Sequence, residues 1–290
     1  MWNHIEQAIS QATNTDFHIN DKAVITGGDI NLSYSLTNST QQFFVKINDK
    51  QNLSLFEAEA FALQQINAQS PFHSPMPICY GETLDKSFLV LEMLDLISAN
   101  NEQWFELGQQ LAIMHKQSQH GQFGWDEDNY IGSNLQPNAW SSNWSVFFAE
   151  QRIAWQLQLL SEKSIRLGDI EHISQMCHDG LQHHRVSPCL IHGDLWQGNV
   201  GFTNSGPTIF DPASYYGDRE ADIAMTELFG QFPAAFYQGY EEQYPLPKHY
   251  EQRKQIYNFY HVLNHANLFG GVYIEQAKAI MQRILSMSFH

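Results

Sequence analysis

Cysteine is scarce. The chain has 3 among 290 residues, Cys79, Cys177 and Cys189, an odd number, widely spaced and with no CxxC pair. That argues against a disulfide framework and a thiolate zinc cluster, and leaves three ordinary buried or half-buried thiols. Basic residues are also few: 15 Lys and Arg stand against 31 Asp and Glu, for a net charge of -16. Nucleic-acid binding needs a basic footprint, so that class of partner is set aside. An acidic cleft would suit a cationic small substrate, but acidity kept for solubility explains the charge at least as well. No apolar run approaches the roughly 20 residues of a membrane helix, so no membrane partner is expected. The polar start, Met1-Trp2-Asn3-His4-Ile5-Glu6, lacks a signal-peptide core, which makes the cytoplasm the default location.

What is present describes a globular protein of one or two domains, with 43% hydrophobic and 13% aromatic residues. Ile5, Ala8, Ile9 and Ala12 predict a first helix. Val24-Ile25, Leu32 to Leu36 and Phe43 to Ile47 then read as an antiparallel meander, with Gly27-Gly28 at its first turn. Residues 54–67 predict a helix with Leu55, Phe56, Ala62, Leu63 and Ile66 on its apolar stripe. Glu59 falls inside that stripe, where a carboxylate is costly unless a cation meets it. Lys46, in the middle of an apolar strand, is the nearest candidate in sequence. Two more strands follow, around 78–82 and 87–94. The polar segment 97–103 marks the change to a mainly helical pattern, giving domains 1–96 and 97–290 and an α+β class. Trp104, Leu107, Leu111 and Met114 begin the helical part, with His115 read as structural. Trp144 to Leu159 is a longer helix whose aromatics face the core. The loop 123–140 is a possible substrate wall, and the last helices lie around 255–268 and 273–287.

The chemistry concentrates in His192-Gly193-Asp194-Leu195-Trp196-Gln197-Gly198-Asn199. Short strands, Val200–Phe202 and Thr208–Phe210, turn at Thr203–Gly206 and return Asp211 to the same loop. A carboxylate base, a neutral amide ligand and a charged ligand are what phosphoryl transfer from Mg-ATP requires. Asp194 would accept or orient the proton of an attacking hydroxyl, and Asn199 and Asp211 would hold Mg²⁺ through oxygen. His192 is read as a brace. HxDxxxxN plus a hairpin to a second Asp is far more specific than HxD alone, and Lys46 and Glu59 lie upstream in the order an ATP site needs. Gly27-Gly28 could cover phosphates with backbone N–H groups, or be a plain hairpin turn. Asp222 is read as a helix N-cap or as a tie from that helix to the catalytic loop, while Asp218, Arg219 and Glu220 are expected near a substrate mouth. A metallohydrolase would want further His or carboxylate ligands nearby, and His183 and His184 show no such spacing.

HGDLWQGN followed by IFDPASYYGDREADIAM resembles the fructosamine kinase (ketosamine 3-kinase) family of the protein-kinase-like superfamily. FFVKIN, FEAEAFAL, FFAEQRIAWQL and NLFGG extend the likeness over nearly the whole chain. The resemblance implies a bilobal fold with a small β-rich N-lobe and a larger helical C-lobe. It also implies Lys46 on the ATP phosphates, paired with Glu59, and Glu92 and Leu94 in the hinge against adenine. Asp194 would be the base, with Asn199 and Asp211 on Mg²⁺. The implied reaction is ATP-dependent phosphorylation of a ketosamine 3-hydroxyl, freeing glycated amines or proteins. Protein kinases carry HRD and DFG; here Gly193 replaces the Arg and Pro212-Ala213 follow Asp211, with no long activation loop evident. Asp29 stands where some relatives have a redox-active Cys. A kinase for another small amine or alcohol, and an ATP-binding regulator without catalysis, are the rival readings. The preferred sugar and the oligomeric state stay open.

Overall fold

The structure, a computed structural model, describes residues 1–26 and 31–287. It opens with helix α1 (Trp2–Thr13), strands β1 (Asp21–Ile25), β2 (Leu32–Thr37) and β3 (Gln42–Asp49), helix α2 (Leu53–Gln69), and strands β4 (Pro77–Glu82) and β5 (Lys86–Glu92). The strands form an antiparallel sheet in the order β1-β2-β3-β5-β4. Alternation along each strand decides which face a side chain joins. Phe43, Val45 and Ile47 of β3 and Phe88 and Val90 of β5 pack with Ile5, Ile9 and Phe17. Phe44, of opposite parity, joins Phe56, Ala60, Leu63, Leu89 and Leu91 beneath α2. Lys46 shares the parity of Phe44, so the pleat delivers its ammonium to the α2 side. A lysine stands in this apolar strand because that face borders a helix carrying Glu59.

Residues 93–100 lead into α3 (Asn101–Gln117), whose start is a capping box: Gln103 N donates to Asn100 Oδ1 at 2.9 Å and Asn100 N to Gln103 Oε1 at 3.0 Å. The hairpin β6 (Asn129–Ile131) and β7 (Asn134–Gln136) follows, then α4 (Trp144–Phe148), a π-helical turn Ala149–Ala154, α5 (Trp155–Glu162) and α6 (Ile170–Leu181). Next come β8 (Cys189–Ile191), the hairpin β9 (Val200–Thr203) and β10 (Gly206–Ile209), and β11 (Tyr215–Gly217). Helices α7 (Arg219–Thr226), α8 (Ala234–Gln243), α9 (Tyr250–Phe269) and α10 (Val272–Ser286) complete the chain.

Three contacts tie α2 to the helical part. Ser54 Oγ and Tyr130 Oη are 2.8 Å apart, Phe61 meets Trp125 edge-on at 5.6 Å, and Tyr216 Oη donates to Gln69 Oε1 at 3.1 Å. Residues 54, 61 and 69 fall on one helical face. The helix that carries Glu59 is thus held against the larger lobe without any activation segment: only residues 212–218 separate Asp211 from α7.

Helices α3 and α8 approach through paired glycines. A Cβ on Gly108 would lie 2.0 Å from Phe236 O, and one on Gly239 would lie 2.1 Å from Phe105 O. Backbone cannot yield as a side chain does, so Gly108→Ala is expected to cost about 3 kcal/mol and lower Tm by roughly 8 °C. Gly121, with nothing within 4 Å of its Cβ position, is the control whose alanine variant should melt with the wild type.

Candidate active site

β8 pairs antiparallel with β11, matching Ile191 with Tyr215 and Cys189 with Gly217. The loop leaving β8 therefore runs beside the segment entering β11, and Ala213 N donates to His192 O at 2.9 Å. Gly193 sits at φ +83°, and a Cβ there would be 2.2 Å from Ala213 O. Only glycine serves at that point, which is the physical reason for Gly in place of Arg. From below, the Asp222 carboxylate accepts from His192 N at 2.7 Å, Gly193 N at 2.8 Å and His115 Nε2 at 3.1 Å. His115 is buried and also meets Tyr240 Oη through Nδ1 at 2.8 Å, so its role is structural. Asp222 is the tie between α7 and the loop, not an N-cap. Asp218 caps α7 by accepting from Glu220 N at 3.1 Å. His192 braces from the other side: Nε2 donates to Phe210 O at 3.0 Å and Nδ1 accepts from Asp194 N at 3.2 Å. Burial holds its pKa below the usual histidine value, against the pull of Asp222, so the ring is neutral.

The β9–β10 hairpin matches Val200 with Ile209, and Phe210 N donates to Asn199 O at 3.1 Å. That register returns Asp211 to the mouth of the loop, with φ +57°, a conformation Asp tolerates better than most residues. Asn199 Nδ2 donates to Asp194 O at 2.9 Å and to Asp194 Oδ2 at 3.3 Å. Asp194 Oδ1 is buried without a partner among the described residues. Burial pushes Asp194 up to about 7; the charge of Asp211 adds to the rise, and the Asn199 bond opposes it.

Lys46 closes the group. The residue is 5% exposed, and its ammonium donates to Glu59 Oε1 at 2.6 Å and to Asp211 Oδ1. The Glu59 contact fits the sequence expectation; the direct Asp211 contact was not foreseen. Burial pulls the Lys46 pKa down, but Asp211 and Glu59 outweigh it and hold the value above that of a free lysine. Burial, opposed by Lys46, keeps Glu59 above the usual carboxylate range. Two carboxylates thus share one cation. A cleft of about 410 Å³ is lined by Lys46, Glu59, Asp194, Asn199 and Asp211. Its oxygen atoms, on the Asp194 and Asp211 carboxylates and Asn199 Oδ1, are the hard ligand type that Mg²⁺ takes.

Other expectations fare differently. Gly27 and Gly28 lie outside the described residues. Glu92 is the last residue of β5, but its carboxylate meets His73 Nε2 at 3.0 Å and its N–H donates to Met76 O at 2.9 Å. Neither Glu92 nor Leu94 lines the Lys46 cleft. Of the 123–140 loop only Tyr130 and Gly132 do so. Asp218, Arg219 and Glu220 are not at a substrate mouth. All three are buried: Tyr257 Oη donates to Asp218 at 2.5 Å, Arg253 grips Glu220 with two bonds of 2.7 Å, and Arg219 donates to the carbonyls of Tyr244 and Pro245 at 2.7 and 2.6 Å. His184, which has no partner by spacing, reaches Asp218 at 2.9 Å and Glu220 at 3.6 Å. Buried charge here is neutralised by neighbours and serves the fold.

The sequence reading missed an aromatic wall. Phe229, His265, Phe269 and Tyr273 line the same cleft, with ring centroids 4.3 Å apart for Phe229–His265 and 5.1 Å for His265–Tyr273. Asn264 and Leu268 join them. The signal was there in α9, where 264, 265, 268 and 269 recur at helical spacing toward one side.

The fructosamine kinase family model matches residues 1–287. A Vibrio parahaemolyticus protein named probable ketoamine kinase is 48% identical over 287 residues, spanning 99% of this chain and 100% of the relative. A Synechocystis protein of the same name is 44% identical over 285 residues, spanning 98% and 97%. A crystal structure of a Haemophilus somnus protein named after fructosamine-3-kinase superposes with TM-score 0.93 at 34% identity, covering 98% of each chain. The aminoglycoside phosphotransferase APH(4)-Ia, solved with AMP-PNP and hygromycin B, gives TM-score 0.59 at 12% identity over 98% and 99%, a likeness of fold alone. The architecture is therefore the bilobal protein-kinase-like one, with an antiparallel sheet ahead of a helical part. Full-length identity of this order, together with a family model that matches residues 1–287, places the chain in the fructosamine kinase family.

Proposed function

We propose that this chain is an ATP- and Mg²⁺-dependent kinase that phosphorylates the 3-hydroxyl of ketosamines, either small glycated amines or glycated protein lysines, in the cytoplasm. The observation that carries the reading is Lys46 bonded to both Glu59 and Asp211 in the cleft that also holds Asp194 and Asn199. Asn199 Oδ1 and Asp211 would hold Mg²⁺, which when bound neutralises charge on the transferring phosphoryl group. Asp194 orients the acceptor hydroxyl and takes its proton, a task its raised pKa suits. Lys46 positions phosphate oxygens, with Glu59 aiming it. By position in the chain alone, Gly27 and Gly28 are assigned to the phosphates, and Glu92 and Leu94, where the chain leaves β5 outside the Lys46 cleft lining, to the adenine side. The small lobe is residues 1–96 and the large one 97–290, in keeping with a sheet that ends at Glu92 and a helix that begins at Asn101. The aromatic wall gives a cationic amine rings to lie against.

Lys46→Met leaves Glu59 buried without its cation and removes the phosphate contact. Steady-state kinetics should show kcat/KM for ATP lowered about 300-fold. An ADP-release assay run in parallel on fructosamines, ribulosamines and an aminoglycoside tests the substrate class. Turnover confined to the aminoglycoside would overturn it.

A further inference from the structure

Asn264 of α9 lines the cleft yet is 1% exposed. Two donors pin its amide: Asn134 Nδ2 reaches Asn264 Oδ1 at 2.8 Å, and Gln156 Nε2 reaches the same oxygen at 3.2 Å. Gln156 is itself fixed, because Asn267 Nδ2 donates to its Oε1 at 2.7 Å and to its carbonyl at 2.9 Å. The amide of Asn264 therefore cannot flip, since Nδ2 would then face two donors. In the orientation held, Nδ2 has no partner among the described residues, and the cleft is where its N–H groups can be met. A donor that opens only on the cleft is satisfied there by water or by a ligand atom that accepts.

The neighbouring cleft groups sharpen what the ligand atom must be. Asp194 and Asp211 are carboxylates, and the rings of Phe229 and Tyr273 are largely apolar. Asn264 presents donors only. In a ketosamine the carbon beside the 3-hydroxyl carries the C2 oxygen, which as a ketone accepts and cannot donate. We infer that Asn264 is a specificity-determining residue that donates from Nδ2 to the C2 oxygen of the acceptor. It thereby selects an acceptor with an oxygen on that carbon over one with an ammonium there, and sets O3 toward Asp194. This rests on the ketosamine reading of the cleft.

Asn264→Asp keeps an acceptor for Asn134 and Gln156 but turns an oxygen toward the substrate. With fructosyl-lysine its KM should rise on the order of 30-fold, with KM for ATP within about twofold of wild type and kcat less affected than KM. Asn264→Ser, which also keeps an acceptor and withdraws the donor, should show the same split, and both variants should melt within a few degrees of wild type. The decisive comparison uses an analogue with CH₂ in place of the C2 oxygen, on which wild type and variants should have equal KM. An unchanged KM for fructosyl-lysine in the variants, or a difference that persists on the analogue, overturns the role of Asn264 while wild-type turnover leaves the ketosamine reading standing. Absence of wild-type turnover on fructosyl-lysine overturns that reading and this one together.

Discussion

Asp194→Asn is expected to lower kcat about a thousandfold while Mg-ATP still raises the melting temperature. The amide keeps the shape and the bond region of Asn199 but cannot take a proton from the acceptor. The same variant should be more stable than wild type in the absence of ligands. Burial lifts the Asp194 pKa from 3.8 to about 7, so ionising it in the folded protein costs free energy. The sign follows from linkage: the native state prefers the proton, so the penalty is full above about pH 7, fades between there and 3.8, and is absent below. Asparagine carries no such penalty. A gain of roughly 2 kcal/mol is expected at pH 8, half of what such a shift means for a wholly dry group, shrinking toward zero near pH 4. Denaturant melts across that range check the trend. Near-normal turnover in this variant would remove Asp194 as the base.

The second large effect is at Asp222, 1% exposed and bonded to two backbone N–H groups of the catalytic loop and to His115. Asp222→Ala strands both N–H groups in the interior and should cost about 4 kcal/mol, roughly 10 °C in Tm. Asp222→Asn keeps one acceptor oxygen and should lose about half as much. Burial raises the Asp222 pKa, but the bond and charge of His115 and the loop contacts outweigh it and hold the group below 3.8. Its contribution is therefore intact above pH 3.8 and disappears only as the pH falls through the lower, folded value. In the surviving folded fraction of Asp222→Ala, kcat should drop with little change in KM for ATP, because the loop that aims Asp194 has lost its floor. A variant as stable as wild type would show that the loop is held elsewhere.

The fold was legible wherever one residue pattern had one physical use. Alternation in β3 and β5 and the apolar stripe of α2 gave the sheet, the helix and the odd polar pair Lys46 and Glu59. α6 and α8 were not foreseen, because their buried faces are thin: Ile173, Cys177 and Leu181 in one, Phe236, Gly239 and Tyr240 in the other. Long-range pairing was the other blind spot. Lys46 and Asp211 are far apart in sequence, and spacing carries no information about whether they touch. Asp218, Arg219 and Glu220 were expected near a substrate mouth because the partners that hold them in the interior, His184, Arg253 and Tyr257, come from other elements. The same holds for Asn264, whose orientation depends on Asn134 and Gln156. Local chemistry could be read along the chain; who neutralises whom required three dimensions.

The most direct measurement is the position of the phosphate. Wild-type protein incubated with Mg-ATP and fructosyl-lysine should release ADP in step with a sugar-amine product whose ³¹P–¹H coupling locates the phosphate on O3, and that product should then break down to free lysine. ADP without a phosphorylated ketosamine, or phosphate on any other oxygen, would contradict the function proposed here.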